Sequence, residues 1–416
     1  MPTLKVTRGK YLMVLLAMCG LVASTIGIMT NTAGLFLNPI CMEFGKETAA
    51  VNLTITISNL AFAVAGLFSA RYIGAKNFRL TVTVCTTVFA GCTAGLALCT
   101  SLIPLYILNG IRGFAGGMIG SVLATTVLGY WFRTDTGLIS SLALGCSGLI
   151  GALFNPILEA VINGPDWRAA YLTAAAVIVV LNLPAILLPI TFRPADAGLE
   201  SLRAPASAKG SRRAVREPRT GDSRAPAVFI LIIVLFAFLG FASATPQLFK
   251  SLAISSGLAE TGVAMMTVVL ITNTAGKFLF GAMTDRLGVR ISFLIYGTAV
   301  SLGLLLLLLV REPVPMLVSA ALIGLCYSVP TVGAVMICRE LFSPVRYTQV
   351  YPKLSLGISA ANAFGYPLLG AIYDRTGSYD GALILVLALT LVSMLGVIAV
   401  YLLADREKAK AASGGP

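Results

Sequence analysis

The sequence predicts an all-α membrane protein of twelve transmembrane helices arranged as two pseudo-symmetric six-helix halves. Three observations carry this. Of 416 residues, 57% are hydrophobic and 11% charged, with a mean hydropathy of +0.90; soluble domains average roughly 45–50% apolar and about 25% charged. The apolar residues fall in blocks of about 20, the length at which a helix rising about 1.5 Å per residue crosses a hydrocarbon core of about 30 Å with its backbone polar groups satisfied internally. The blocks form two sets of six on either side of a basic stretch.

The first set spans 11–37, 50–69, 80–100, 103–129, 138–160 and 169–192; the second spans 227–249, 261–282, 291–310, 314–337, 349–372 and 380–404. The first block follows Lys5, Arg8 and Lys10, like the charged region of a signal peptide. It runs too long for one and shows no convincing cleavage site before Asn38-Pro39, so it reads as a retained span. Residues 193–226 are rich in Arg, Ala, Pro, Ser and Gly and have no apolar face, which predicts a flexible linker. The organisation is therefore 1–192 as one half, 193–226 as a basic cytoplasmic linker, 227–404 as the other half and 405–416 as a cytoplasmic tail.

Basic loops tend to stay in the cytoplasm. With both termini inside, 22 of the 30 Lys and Arg fall on the inner side, and five fall outside: Lys46, Arg168, Lys250, Arg311 and Arg375. The net charge of +13 is thus a topology signal of a cell-membrane protein, and the linker reads as a cytoplasmic loop rather than a nucleic-acid site. The two halves also echo each other. Leu142-Ala-Leu-Gly145 precedes Pro156 by eleven residues, and Leu354-Ser-Leu-Gly357 precedes Pro367 by ten. Each follows an aromatic-containing turn, Tyr130-Trp131-Phe132-Arg133 or Leu341-Phe342-Ser343-Pro344. Repeated halves with a site between them are the architecture of alternating-access carriers.

The eight cysteines lack metal spacing, and Cys19, Cys85, Cys92, Cys99, Cys146 and Cys326 sit within apolar blocks as packing residues. The chain contains no histidine, which removes Ser-His and Cys-His catalysis and most zinc sites; neither an enzyme, a cofactor nor a metal is expected. What does demand explanation is charge within the spans. Arg112 lies nine residues into the fourth, about 14 Å down the helix and near the midplane. It reads as an anion site or interhelical hub, or else as a structural arginine bonded to carbonyls. Lys277 follows Asn273 by one turn on the eighth span, so the two side chains share a face. Lys277 reads as an anion ligand or as a residue snorkelling to the cytoplasmic surface; Lys353 reads as snorkelling. Thr30, Asn31, Thr32, Thr245 and Gln247 could line a central cavity or bond between helices.

Gly281-Ala-Met-Thr-Asp285-Arg286-Leu-Gly288-Val-Arg290, between the eighth and ninth spans, resembles the cytoplasmic loop motif of the major facilitator superfamily. The equivalent first-half stretch, Gly66-Leu-Phe-Ser-Ala70-Arg71-Tyr-Ile-Gly74-Ala-Lys76, is degenerate, with Ala70 where the family's aspartate would stand. The resemblance implies a gating latch in the second half, with Arg339 or Arg346 as partners of Asp285. Within that superfamily the chain looks most like the oxalate-formate antiporter and monocarboxylate transporter branch. Asn38-Pro39, Arg112-Gly-Phe-Ala-Gly-Gly117, Trp131-Phe132-Arg133, Asp166-Trp167-Arg168-Ala-Ala-Tyr171 and Tyr373-Asp374-Arg375-Thr-Gly377-Ser-Tyr379-Asp380 carry this.

The resemblance implies the twelve-helix major facilitator fold and a basic residue at Lys277 that binds the substrate carboxylate. Proton-coupled relatives place an aspartate where Asn273 stands. Apart from Asp380, the first residue of the twelfth span, the only acid in any span is Glu159, near the outer end of the fifth, which leaves it as the one possible coupling residue. Ala360 replaces the oxalate carriers' eleventh-span lysine, and Asn31 and Ala33 replace their first-span aromatics. The expectation is a monomeric carrier of small organic anions, mono- or dicarboxylates, working by exchange or facilitation rather than proton symport. Its candidate substrate residues are Arg112, Lys277, Asn273, Asn31, Thr32 and Gln247. The rivals are an exporter of drug-like compounds, disfavoured by positive cavity charge, and a receptor on a carrier scaffold, disfavoured by a short tail and an unpatterned linker.

Overall fold

The computed structural model describes residues 8–46, 48–132, 136–200 and 226–412. The expected flexible linker from 201 to 225, the end of the tail and Arg133 lie outside them. The chain divides into two compact units, Met1–Ser211 and Arg212–Pro416. Both are built of helices alone among the described residues.

In the first unit, α1 (Arg8–Val22) passes through a π-helical stretch (Ala23–Ile28), a turn and a 3-10 segment (Ala33–Phe36) into α2 (Leu37–Phe44). Then come α3 (Thr48–Tyr72), α4 (Phe78–Leu96), α5 (Leu102–Ile119) continued by α6 (Ser121–Trp131), α7 (Thr136–Asn163) and α8 (Trp167–Leu187). The second unit repeats the scheme. Here α9 (Pro226–Ala242) breaks at a 3-10 segment (Thr245–Leu248) before α10 (Phe249–Ser255), and α11 (Ala259–Leu287) and α12 (Val289–Leu309) follow. Next, α13 (Pro313–Gly324) runs through 3-10 and π-helical turns (Leu325–Tyr327, Val329–Gly333) into α14 (Ala334–Leu341), and α15 (Pro344–Thr376) and α16 (Asp380–Ala412) close the unit. In each unit the first and fourth crossings are interrupted and the other four are continuous.

Ten of these crossings are individually long and apolar enough to span a bilayer. The seventh is shortened to Val228–Ala242 by its break, and the eleventh, α15, carries Gln349, Lys353, Ser355, Ser359 and Asn362. The outward faces are apolar. On α4, Leu80, Val84 and Val88 are exposed at intervals of four, while Phe78, Val82, Thr86 and Phe89 face inward. That inside-out pattern marks lipid as the solvent, and the chain is a multi-pass membrane protein.

Lipid tails are as apolar as leucine, so helices associate by close packing of small residues rather than by hydrophobic exclusion. A Cβ at Gly113 would collide with the Ser58 carbonyl, and one at Gly117 with the Phe62 carbonyl, so these glycines let α5 lie directly on α3. Gly20 does the same for α1 against Leu181 of α8, and Gly240 for α9 against Ile358 of α15. At Gly120, where α5 gives way to α6, the Phe62 ring occupies the space a side chain would need. Side-chain capping completes the frame: the half-buried Asp166 accepts a hydrogen bond from the Ala169 amide at 2.7 Å and starts α8.

Residues 193–200, at the start of the expected linker, pack back onto the first unit. Pro194 and Leu199 are buried, the Arg193 guanidinium lies 5.0 Å from the Tyr130 ring centre, and the Tyr11 hydroxyl donates to the Glu200 carbonyl at 2.5 Å. The Trp131 indole donates to the Thr191 carbonyl at 3.1 Å. The aromatic residues at the end of α6 supply the surface that the linker's composition concealed.

Candidate functional site

Only two charged side chains are buried among the described residues, Arg112 at 6% exposure and Lys277 at 3%. Each stands in a polar setting built by its own unit. Close packing of α5 on α3 through Gly113 and Gly117 fixes the rotation of α5 and turns Arg112 toward the broken first crossing and α8. There the guanidinium lines a small cavity with Met29, Thr32, Phe36, Thr93 and Tyr171. Its Nε has no hydrogen-bond partner, and no carboxylate among the described residues pairs with it.

The break in the first crossing is what brings Thr32 and Phe36 to this cavity. The Asn31 amide donates to the Ile26 carbonyl at 2.9 Å, the five-residue step of a π-bulge, a distortion that recurs at functional sites. Thr32 donates its hydroxyl proton to the Ile28 carbonyl at 2.6 Å, and Thr93 donates its own to the Phe89 carbonyl at 2.7 Å. Tyr171 stacks on Phe36 with ring centres 4.0 Å apart and meets Trp167 edge-on at 5.9 Å. Tyr171 was legible only as part of the Asp166-Trp167-Arg168-Ala-Ala-Tyr171 stretch; its place opposite Arg112 required the packing of α8 on α4.

Asn31 sits apart from that cavity: its side-chain amide donates to the Ser147 carbonyl at 3.1 Å and ties the first crossing to α7. The Gln247 side chain lies outside the described residues, while Thr245 donates to the Ala242 carbonyl at 2.7 Å within the matching break of the second unit.

Lys277 and Asn273 are one turn apart on α11, and both are buried, Asn273 at 4% exposure. Lys277 therefore does not reach the surface, and snorkelling is removed as its reading. Between them, Gly276 lets the Leu325–Tyr327 break approach, with Ser328 packed where a Cβ would stand. The Gly276 carbonyl accepts a hydrogen bond from Tyr296 at 2.8 Å. The Asn273 Oδ1 and Ser328 Oγ are buried without protein partners. Lys353, by contrast, is exposed and lies 5.5 Å from the Phe229 ring centre, as a surface lysine would.

The loop motif forms a direct helix-to-helix turn. Gly288 adopts φ 89°, a value that L-residues rarely take, and so joins α11 to α12 without a linker. Gly281 is buried, with its carbonyl accepting from Thr284 at 2.7 Å; Asp285 and Arg286 are exposed and Arg290 half-buried. Arg339 lies 5.5 Å from the Tyr347 ring centre and Arg346 6.0 Å from that of Phe342. In the first unit's degenerate turn, Asn77 does the joining: its Oδ1 accepts from the Gly74 amide at 2.8 Å and its Nδ2 donates to the Tyr72 carbonyl at 2.7 Å. Glu159 is exposed on α7.

A polar cluster missed in the sequence joins α2 to the start of α8. Glu43 pairs with Arg168 at 2.6 Å and also accepts the Trp167 indole, while Arg168 lies 4.4 Å from the Trp167 ring centre. The hydrogen bonds from Arg168 and then Trp167 hold the Glu43 carboxyl below the usual carboxylate range.

This arrangement of interrupted first and fourth crossings in two six-helix units is the major facilitator fold. The family model described as Major Facilitator Superfamily matches residues 227–416, which lie within the second unit. Among solved structures, a Major Facilitator Superfamily transporter, FucP, in the outward conformation, is 11% identical over 94% of this chain and 99% of its own, with a TM-score of 0.69. The human organic anion transporter MFSD10 (TETRAN) is 18% identical over the same shares, with a TM-score of 0.66. No curated protein sequence matches the chain.

Proposed function

We propose that the chain is a transporter that carries small organic anions, mono- or dicarboxylates, across the membrane by alternating access. The observation that carries this is the sign of the buried charge: the two buried ionic side chains are Arg112 and Lys277, both cations, and no acid is buried among the described residues. A charge in the bilayer interior costs at least a few kcal/mol, and a surplus of positive charge among the buried side chains favours the entry of an anionic solute over a cationic one. Lys277 supplies a point charge to the carboxylate, and the side-chain NH2 of Asn273, one turn away on the same helix, donates a hydrogen bond that orients it. The fold shared with a human organic anion transporter agrees with this reading.

Transport runs by exchange or facilitation. A proton symporter needs a titratable group near the solute. Asn273 cannot titrate, and Glu159 is exposed on the surface of α7. The test is uptake of labelled mono- and dicarboxylates into proteoliposomes with and without unlabelled solute inside. Carboxylate influx accelerated by internal carboxylate supports the reading; influx of cationic or neutral solutes with no carboxylate flux refutes it.

A further inference from the structure

We propose that the cavity beside Arg112 is a binding site for one chloride-sized inorganic anion, held within the first unit and distinct from the transported solute. The first argument is charge. A guanidinium stays ionised in any protein environment, and an ion withdrawn from water without a counter-charge is strongly destabilising. Arg112 is 6% exposed, its Nε is unbonded, and among the described residues it has no ion-pair partner.

The second argument is donor geometry. Thr32 and Thr93 direct their hydroxyl protons at carbonyls of their own helices. The groups left to donate into the cavity are the Arg112 guanidinium and the Tyr171 hydroxyl, which bonds no protein atom among the described residues. Two donors, one of them cationic, and no free acceptor of comparable strength define an anion site; a water molecule would fill it without offsetting the charge.

The third argument is size. The cavity leaves the centre of a water-sized sphere about 10 Å³ in which to move, roughly one sphere's worth. A halide fits, with the flexible thioether of Met29 in the wall giving way as needed. A dicarboxylate does not. The remaining walls, Ile28, Ala33, Ala174 and Ile178, are apolar, which favours the weakly hydrated chloride and bromide over fluoride.

The test reads binding without transport, so a failed carboxylate uptake screen leaves it untouched. Thermal unfolding of the full chain in lipid nanodiscs is followed in sodium gluconate as chloride replaces gluconate at constant ionic strength. A ligand that binds only the folded state raises Tm in a saturable way. Chloride and bromide are expected to do so, and Tyr171→Phe to raise the half-maximal chloride concentration about three- to tenfold through loss of one hydrogen bond. Arg112→Met is expected to abolish the chloride response while unfolding in gluconate no lower than wild type, because a chain of similar length replaces an uncompensated charge. Identical wild-type Tm in chloride and gluconate overturns the proposal, as does a chloride response that survives in Arg112→Met. A rise with formate but not with chloride also overturns it and returns the cavity to a solute carboxylate. Should Arg112→Met fail to fold, the wild-type halide series and Tyr171→Phe decide.

Discussion

The side-chain amide of Asn31 donates to the backbone carbonyl of Ser147 across 3.1 Å, joining the distorted part of the first crossing to α7. A Cβ placed on Gly151, one turn further along α7, would sit 3.0 Å from the Asn31 side chain, so the hydrogen bond and the close approach are one contact. Interhelical hydrogen bonds of this kind average about 0.6 kcal/mol in membranes. Asn31→Ala is therefore expected to lower unfolding stability by about that much, and Gly151→Val by more, since it separates the helices. Equal stability of Gly151→Val and wild type in a denaturant titration would show that the contact does not hold the helices together.

Lys277→Ala should abolish carboxylate uptake while the protein still inserts and purifies as a folded species. Truncating one member of a buried charged pair costs about 2–5 kcal/mol, a loss of roughly 30-fold or more. Lys277→Arg should retain part of the activity, because charge is kept and geometry is altered. Unchanged counterflow in the alanine variant would remove Lys277 from the solute site.

Asp285→Asn removes the carboxylate of the loop motif at the α11–α12 turn, whose first-unit equivalent is Ala70. It is expected to shift the balance between inward- and outward-facing states, and Ala70→Asp to restore part of it. The measurement is thiol labelling of cavity positions in the variant and in wild type; matching labelling patterns would count against a latch.

Glu43 gives a pH dependence whose sign follows from its lowered pKa. A carboxyl depressed in the folded state stabilises above its unfolded value, about 4.3, and that contribution disappears as pH falls through the folded value. The Glu43–Arg168–Trp167 contact should therefore be intact at neutral pH and open in acid as pH falls through the lowered folded value. Trp167 fluorescence, read in a Trp131→Phe background, should change over that acid range and lose the change in Glu43→Gln.

An inward pH gradient imposed on vesicles without internal solute is expected to drive no accumulation. Accumulation that a protonophore collapses would overturn the exchange reading, and Glu159→Gln would identify whether the exposed α7 carboxylate carries the proton.

Composition and block length determined the class of protein and where its crossings lie, with helix ends displaced from the expected limits by up to eight residues, because lipid imposes one requirement on every span: an apolar exterior around a self-bonded helix. The loop motif likewise announced the α11–α12 turn, since a positive φ at Gly288 and a basic flank are local properties. Other features depend on what lies across from a residue, and a one-dimensional pattern does not contain that. Hydropathy cannot register that the first and fourth crossings of each unit are interrupted, since a π-bulge or 3-10 turn is no less apolar than a helix. Nor does spacing reveal that Arg112 faces Tyr171 in an acid-free cavity; the register of α5 is set by glycine contacts with α3, and Tyr171 arrives from α8. Lys277 could have reached the surface or stayed inside by its sequence position alone, and only the packed structure, where it is 3% exposed, decided that it is buried.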